Sequence, residues 1–246
     1  MVVGWDIMSL KELIEGLRGF AGPGTHIVLV CDDEPPSDQL PELIGTNDHI
    51  SIEIIVTEVN MSRSNFEMGE LHLADTVIIG TPSSYTYPDN DALVLSAVLQ
   101  VEQLAAEMQR EIHIIAKAHH SNTKRVLKKF FKGLKVKWCT FEIVIPTQVT
   151  SAVLTNVLEH PQVMDLVQEL MVLGDGNELY ILDLRALGFH EGEEVMFGEL
   201  IEAGRLLQMT CVGFLRQLRP HLALSMSDVI KFEQGDRLVV VGDLAD

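Results

Sequence analysis

The stretch MVVGWDIMSLKELIEGL, residues 1–17, decides how the rest of the chain is read. A short apolar strand turns at Gly4 into a helix. In that helix Leu10, Leu13, Ile14 and Leu17 recur with the 3.6-residue period. A strand passing straight into a helix is where a dinucleotide-binding fold carries the fingerprint G-x-G-x-x-G, whose glycines make a tight turn and admit a pyrophosphate to the backbone. After Gly4 the later glycine places hold Asp6 and Ser9, and a bulky Trp5 intervenes. Asp6 sets negative charge beside the place of a pyrophosphate, so NAD or ATP in the usual pose is not expected. Trp5 and Asp6 read as packing and capping groups, and the free N–H groups of the helix start leave room only for a smaller or differently placed anion.

The strands that follow extend this opening. HIVLVC (residues 26–31), ISIEIIV (50–56), DTVIIG (75–80) and EIHIIAKA (111–118) are short and rich in β-branched residues. Near-continuous apolar runs of this kind suit parallel strands covered on both faces. Helical patterns separate them, the longest carrying Leu93, Val94, Ala97, Val98, Val101, Leu104, Ala105 and Met108. This βαβα order predicts an α/β fold, a Rossmann-like doubly wound parallel sheet, over residues 1–145. SNTKRVLKKFFKGLKVKW, residues 121–138, is a capped basic helix with a turn, and CTFEIVI is one further strand. Two helices follow, TSAVLTNVLEH and, after Pro161, QVMDLVQELMVL. They read as a helix-turn-helix crossover within residues 146–174, with Leu154, Val157, Leu158, Val163, Val167, Leu170 and Met171 on apolar faces. GDGNE is a strong turn signal. Residues 175–246 form a small α+β C-terminal lobe: strands in ELYILDL, QMTCVGFLR and DRLVVVGDL, and a helix in MFGELIEAG.

Composition bounds the partners. The chain has 246 residues, 47% of them hydrophobic, enough for one large domain or two small ones. Its formal net charge of -18 repels nucleic acid and anionic lipid and attracts cations; plain solubility is the simpler reading of the same number. Cys31, Cys139 and Cys211 are odd in number and far apart, which argues against a disulfide framework or a zinc knuckle and fits a reducing cytosol. No signal peptide and no bilayer-length apolar run appears in the sequence. The first residues already read as a core strand, so either the chain starts abruptly or a preceding part is missing.

The order of these parts resembles an RCK domain, the regulator of K⁺ conductance, also described as a TrkA-N/TrkA-C pair. FEIVIPTQVTSAVLTNVLEHPQVMDLVQELMVLGDGNELYIL is similar to the RCK crossover, in which a strand leads to a helix pair swapped between subunits. AGRLLQMTCVGFLR and LALSMSDVIKFEQGDRLVVVG resemble the ending of the C-terminal lobe. A narrower resemblance is to the CASTOR/POLLUX group of ion channels, on Gly4-Trp5, GPGTHIVLV and TSAVLTNVL. The resemblance covers nearly the whole chain and implies a cytosolic, ligand-sensing gating-ring domain. It implies a homo-oligomer paired through residues 151–172 and assembled into a ring. It also implies a pore domain as partner, in cis or in trans, because the family's pore helices are absent. No insertion into the membrane by this chain is expected.

The candidate ligand residues lie at strand ends. Asp32 falls where a Rossmann acidic residue meets ribose hydroxyls, which makes Gly4, Asp6 and Asp32 the candidate cofactor set. Asp32, Asp33 and Glu34 follow one strand, and Glu58 and Asn60 follow the next. Carboxylates and an amide gathered in one crevice suit a hard cation such as Ca²⁺. A solvated acidic loop is the alternative, and the Ca²⁺ reading draws its weight from the resemblance, since RCK rings often bind Ca²⁺. The polar stretch TPSSYTYPDNDA could cover that crevice. His119 and His120 are adjacent on an extended segment and so point to opposite faces, which disfavours a shared metal. Lys124, Arg125, Lys128, Lys129, Lys132, Lys135 and Lys137 read as a solvated face that pairs with acidic surfaces of neighbouring subunits. No nucleophile elbow, Walker loop or HExxH appears, so the chain reads as a binding module and not an enzyme.

Overall fold

The computed structural model describes residues 1–5, 10–34, 50–81, 89–134, 137–171, 178–217, 219–222 and 224–242. Asp6, most of the polar stretch after the fourth strand and residues 174–177 of the GDGNE turn therefore lie outside the described residues. The chain divides into two compact units, Met1–Ala152 and Val153–Asp246. The division falls inside the first crossover helix.

The first unit is built on a six-stranded parallel sheet in the order β3-β2-β1-β4-β5-β6. Its strands are β1 (Val2–Val3), β2 (Thr25–Cys31), β3 (Ile50–Val56), β4 (Thr76–Ile79), β5 (Ile112–Lys117) and β6 (Cys139–Val144). The strand order reverses between β1 and β4, as in doubly wound sheets. Helices α1 (Leu10–Phe20), α2 (Arg63–Met68), α3 (Asp89–Met108) and α4 (Ser121–Gly133) connect the strands.

Two hydrophobic clusters show how the sheet is covered. On one face Val2, Ile27, Leu29 and Ile78 pack with Leu10 and Ile14 of α1. On the other, Val3, Val30, Val77, Ile79, Ile112, Ile114 and Ala116 pack with Phe66, Val94, Val98, Val101 and Leu127. Alternate residues of each central strand thus enter opposite cores, which is why these strands read as unbroken apolar runs.

The second unit contains most of the crossover pair and the small lobe. Helix α5 (Pro146–Glu159) enters it from the first unit, and α6 (Val163–Met171) lies within it beside β7 (Glu178–Asp183). Its four-stranded antiparallel sheet runs β10-β9-β12-β7, with β9 (Met209–Arg216), β10 (Arg219–Leu222) and β12 (Arg237–Gly242). Strands β8 (Glu194–Met196) and β11 (Val229–Lys231) form a separate pair, and α7 (Phe197–Leu206) packs on β9. Strands β8, β10 and β11 and the short helix α2 were not expected from sequence.

Leu184, Leu200, Met209, Phe214, Phe232, Leu238 and Val240 fill this lobe's core. The turn into β12 takes Gly235 at φ 83°, and Asp236, only 1% exposed, closes it by accepting the Glu233 amide. Arg216 neutralises that carboxylate from β9 at 2.7 Å.

Candidate functional site

The crevice at the C-terminal ends of β1 and β4 is where an open α/β sheet ordinarily binds its ligand. Here the backbone closes in on itself. Gly4, with φ 66°, donates its amide to the Val30 carbonyl at 2.9 Å, and Gly80 donates to the Val3 carbonyl at 2.8 Å. A Cβ on Gly80 would stand 2.5 Å from the Gly4 oxygen and 2.8 Å from the Trp5 Cα, so glycine is required at this approach. Trp5 is half-buried against the Val2, Leu10 and Ile14 cluster, as the packing reading expected. The Lys117 ammonium lies 5.6 Å from the centroid of its ring.

Asp32 is engaged in the protein itself. Its Oδ1 accepts the Val59 amide at 2.6 Å and so ties the end of β2 to the segment after β3. Asn65, 2% exposed, fixes that segment further. Its amide donates to the Glu58 carbonyl at 3.0 Å, and its oxygen accepts the amides of Asn60 and Ser62, each at 3.2 Å. The Asn60 side chain accepts the Ser62 amide at 3.1 Å. The sequence placed Asp32 near Glu58 and Asn60, and the loops do meet.

The carboxylates of Asp32, Asp33, Glu34 and Glu58 nevertheless do not converge as a cation cage, because no three of them bring ligand atoms within 4.8 Å of one another. Asp32 is turned inward to cap a backbone amide, and the Asn65 bonds hold the Glu58 backbone. Gly4 is a structural turn, and Asp6 lies outside the described residues.

Another group does converge. Among the described residues, His26, Glu53 and Glu70 are the one set of three His, Cys, Asp or Glu residues whose ligand atoms all lie within 4.8 Å of one another. His26 on β2 is in register with Ser51 on β3, and Glu53 lies two residues beyond Ser51 on the same strand face. The His26 Nδ1 is 2.7 Å from the Ser51 hydroxyl, and its Nε2 is 3.6 Å from Glu53. Glu70 arrives in the turn after α2, at φ 55°, where a Cβ on neighbouring Gly69 would run into the side chains of Met1 and Val30. That turn therefore lies directly on the sheet. Sequence reasoning missed the group because its members are 17 to 44 positions apart. The available signal was that His26 and Glu53 are polar interruptions in otherwise β-branched strands.

At the opposite, C-terminal edge of the sheet, Asp91 at the start of α3 receives the amides of His119 and His120. The two histidines thus serve through their backbone in the turn that begins α4. On α4, Lys128, Lys129 and Lys132 are exposed, whereas Lys124 reaches the Ile143 carbonyl at 3.3 Å and lies 4.0 Å from Glu142.

The crossover helices present apolar surface. No residue of α5 is buried, although it carries Val149, Val153, Leu154, Val157 and Leu158, and Leu158 is 86% exposed. On α6, Leu166 is 60% exposed. No helix among the described residues is long and apolar enough to cross a membrane.

No family model matches this chain, and no curated protein matches it. Solved structures do. The human SLO3 gating ring superposes with a TM-score of 0.63 at 12% sequence identity, covering 98% of this chain and 44% of that one. The fold is a gating-ring fold. The chain spans less than half the length of the SLO3 chain it matches. At this identity the likeness establishes architecture: a Rossmann-like sheet followed by a small antiparallel lobe, as the sequence predicted.

Proposed function

We propose that this chain is a cytosolic RCK-type regulatory domain of a cation channel of the CASTOR/POLLUX kind. It acts by ligand-dependent rearrangement of an oligomeric ring and carries out no reaction. The observation that carries this reading is the exposed apolar surface of the crossover pair, with Val149, Leu154, Leu158 and Leu166 open to solvent. A 14-residue helix with five apolar side chains and no buried residue needs a partner surface, and a second copy of the same helix pair supplies a self-complementary one. The gating-ring fold, the resemblance across the crossover and the strand-to-helix opening support it.

In such a ring a ligand acts by binding one arrangement more tightly than another, and the linkage to a pore domain converts that difference into opening. A divalent cation is the ligand class this reading retains. The resemblance favours Ca²⁺, and the strongly acidic composition favours cations in general. A nucleotide is disfavoured by Asp6 and by the close approach of Gly80 to Gly4 and Trp5.

Size-exclusion chromatography with light scattering tests the assembly. The wild type is expected to run as a dimer or a larger even-numbered species. Leu158→Asp and Val167→Asp are expected to give monomers that still fold, with cooperative thermal melts and at most the helical signal of α5 lost from circular dichroism. Assembly of wild-type size from both variants would remove the crossover pair as the interface and the reading with it.

A further inference from the structure

We propose that His26, Glu53 and Glu70 form a binding site for a transition-metal ion of the Zn²⁺ class. The three come from separate elements, β2, β3 and the turn after α2, and meet on one face of the sheet. Bonds of about 2.0–2.1 Å at tetrahedral angles put two ligand atoms about 3.3 Å apart. His26 Nε2 and Glu53 Oε2 already stand 3.6 Å apart. The Glu70 carboxylate lies within 4.8 Å of both, within reach of the same shell by side-chain rotation.

Two further observations favour a cation here. First, the group holds two carboxylates against one imidazole, and no Lys or Arg among the described residues pairs with either glutamate. Like charges held this close are unfavourable unless a positive charge lies between them. Second, the His26 ring is oriented from outside the group. With Nδ1–H donating to Ser51, the Nε2 lone pair points toward Glu53. Metal-ligating histidines are held by such a bond at their other ring nitrogen.

The donor set selects the metal. One imidazole nitrogen with two carboxylate oxygens suits Zn²⁺, leaving a fourth position for water or a further ligand. Ca²⁺ and Mg²⁺ prefer oxygen-only shells with more ligands. The site is accessible, since His26 and Glu53 are exposed and His26 also lines an open cleft of about 570 Å³ at the N-terminal edge of the sheet.

The assignment is tested by titration calorimetry on chelator-stripped protein with ZnCl₂, and with MgCl₂ and CaCl₂ in parallel. One saturable Zn²⁺ site is expected, lost in His26→Gln and in Glu53→Gln and retained in Asp32→Asn. Ser51→Ala should weaken it by about tenfold, the usual scale for a residue that orients a ligand. Both lost ligands are surface residues, and thermal melts without metal should match the wild type. Co²⁺ substitution should give visible bands without a thiolate charge-transfer band. Silence with Zn²⁺, or Zn²⁺ binding unchanged in both ligand variants, overturns the site. Because binding is read directly, this outcome is independent of whether the chain assembles through α5 and α6.

Discussion

The Asp91 carboxylate and the Thr123 hydroxyl are 2.6 Å apart and buried, and they lock the start of α3 to the start of α4. The same carboxylate takes the amides of His119 and His120 at 2.8 and 3.0 Å. It thereby caps α4 from another helix, since the N-cap His120 makes no side-chain capping bond. Burial pushes the Asp91 acid upward, but the bonds from Thr123, His119 and His120 outweigh it and hold the group below its ordinary range.

The sign of the pH effect follows. A carboxylate with a lowered folded-state pKa contributes stability above its unfolded value of about 4, and that contribution fades as the pH falls through the folded value. Asp91→Ala removes an acceptor from three donors, the buried Thr123 hydroxyl and the part-buried amides of His119 and His120, and should cost about 2–3 kcal/mol at neutral pH, on the scale of a lost charged hydrogen-bond partner. Urea melts at pH 7 and at pH 3 check this. The gap between wild type and variant should narrow at the lower pH.

Gly80→Ala should destabilise the first unit by about 1–3 kcal/mol, the usual range for overpacking a closed core. The added methyl has only the backbone of Gly4 and Trp5 to press on. Chemical denaturation followed by Trp5 and Trp138 fluorescence measures the loss. Stability equal to wild type would mean that the strand-end closure at β1 and β4 is loose.

All three cysteines are buried, and their thiols are held in the protonated form. Burial first, then the charges of Asp32 and Asp33, pushes the Cys31 thiol up to about 11. Burial and the neighbouring Glu102 carboxylate raise Cys139, and burial raises Cys211. At pH 8 a thiol of pKa about 11 is only about one part in a thousand thiolate, the form that reacts. Native protein should therefore show slow labelling by iodoacetamide at all three positions, and rapid labelling after unfolding. Fast labelling of folded Cys31 would contradict its placement beneath the β2–β3 edge.

The elements legible from sequence were those whose local pattern and tertiary environment agree. β2 carries an apolar run buried over its last five residues, β3 is a β-branched edge strand only partly buried, and α1 has one clean apolar face, so local pattern alone placed them. Strands β8, β10 and β11 have three or four residues, and β10 contains Pro220. Their existence depends on a neighbour that sequence does not reveal. The candidate site divides the same way. That Asp32 would lie near the segment after β3 followed from parallel strand order. That its oxygen would be taken by the Val59 amide did not, because a carboxylate's rotamer is chosen by the donors that folding brings to it. The meeting of His26 with Glu53 depends on strand register, and the addition of Glu70 on a turn that carries no strong sequence signal.

The naked flank of α5 also bears on how this chain folds. Isolated helices shorter than about 12–15 residues are marginal in water, and most of their persistence in proteins comes from packing. Helix α5 has Pro146 at its first position to start it, and no residue along it is fully buried, Val153 and Val157 being half-buried. Its coil-to-helix balance therefore falls to mass action. Dilution frays it and crowding of copies winds it, so the melting temperature should climb with protein concentration for the wild type and stay flat for Leu158→Asp.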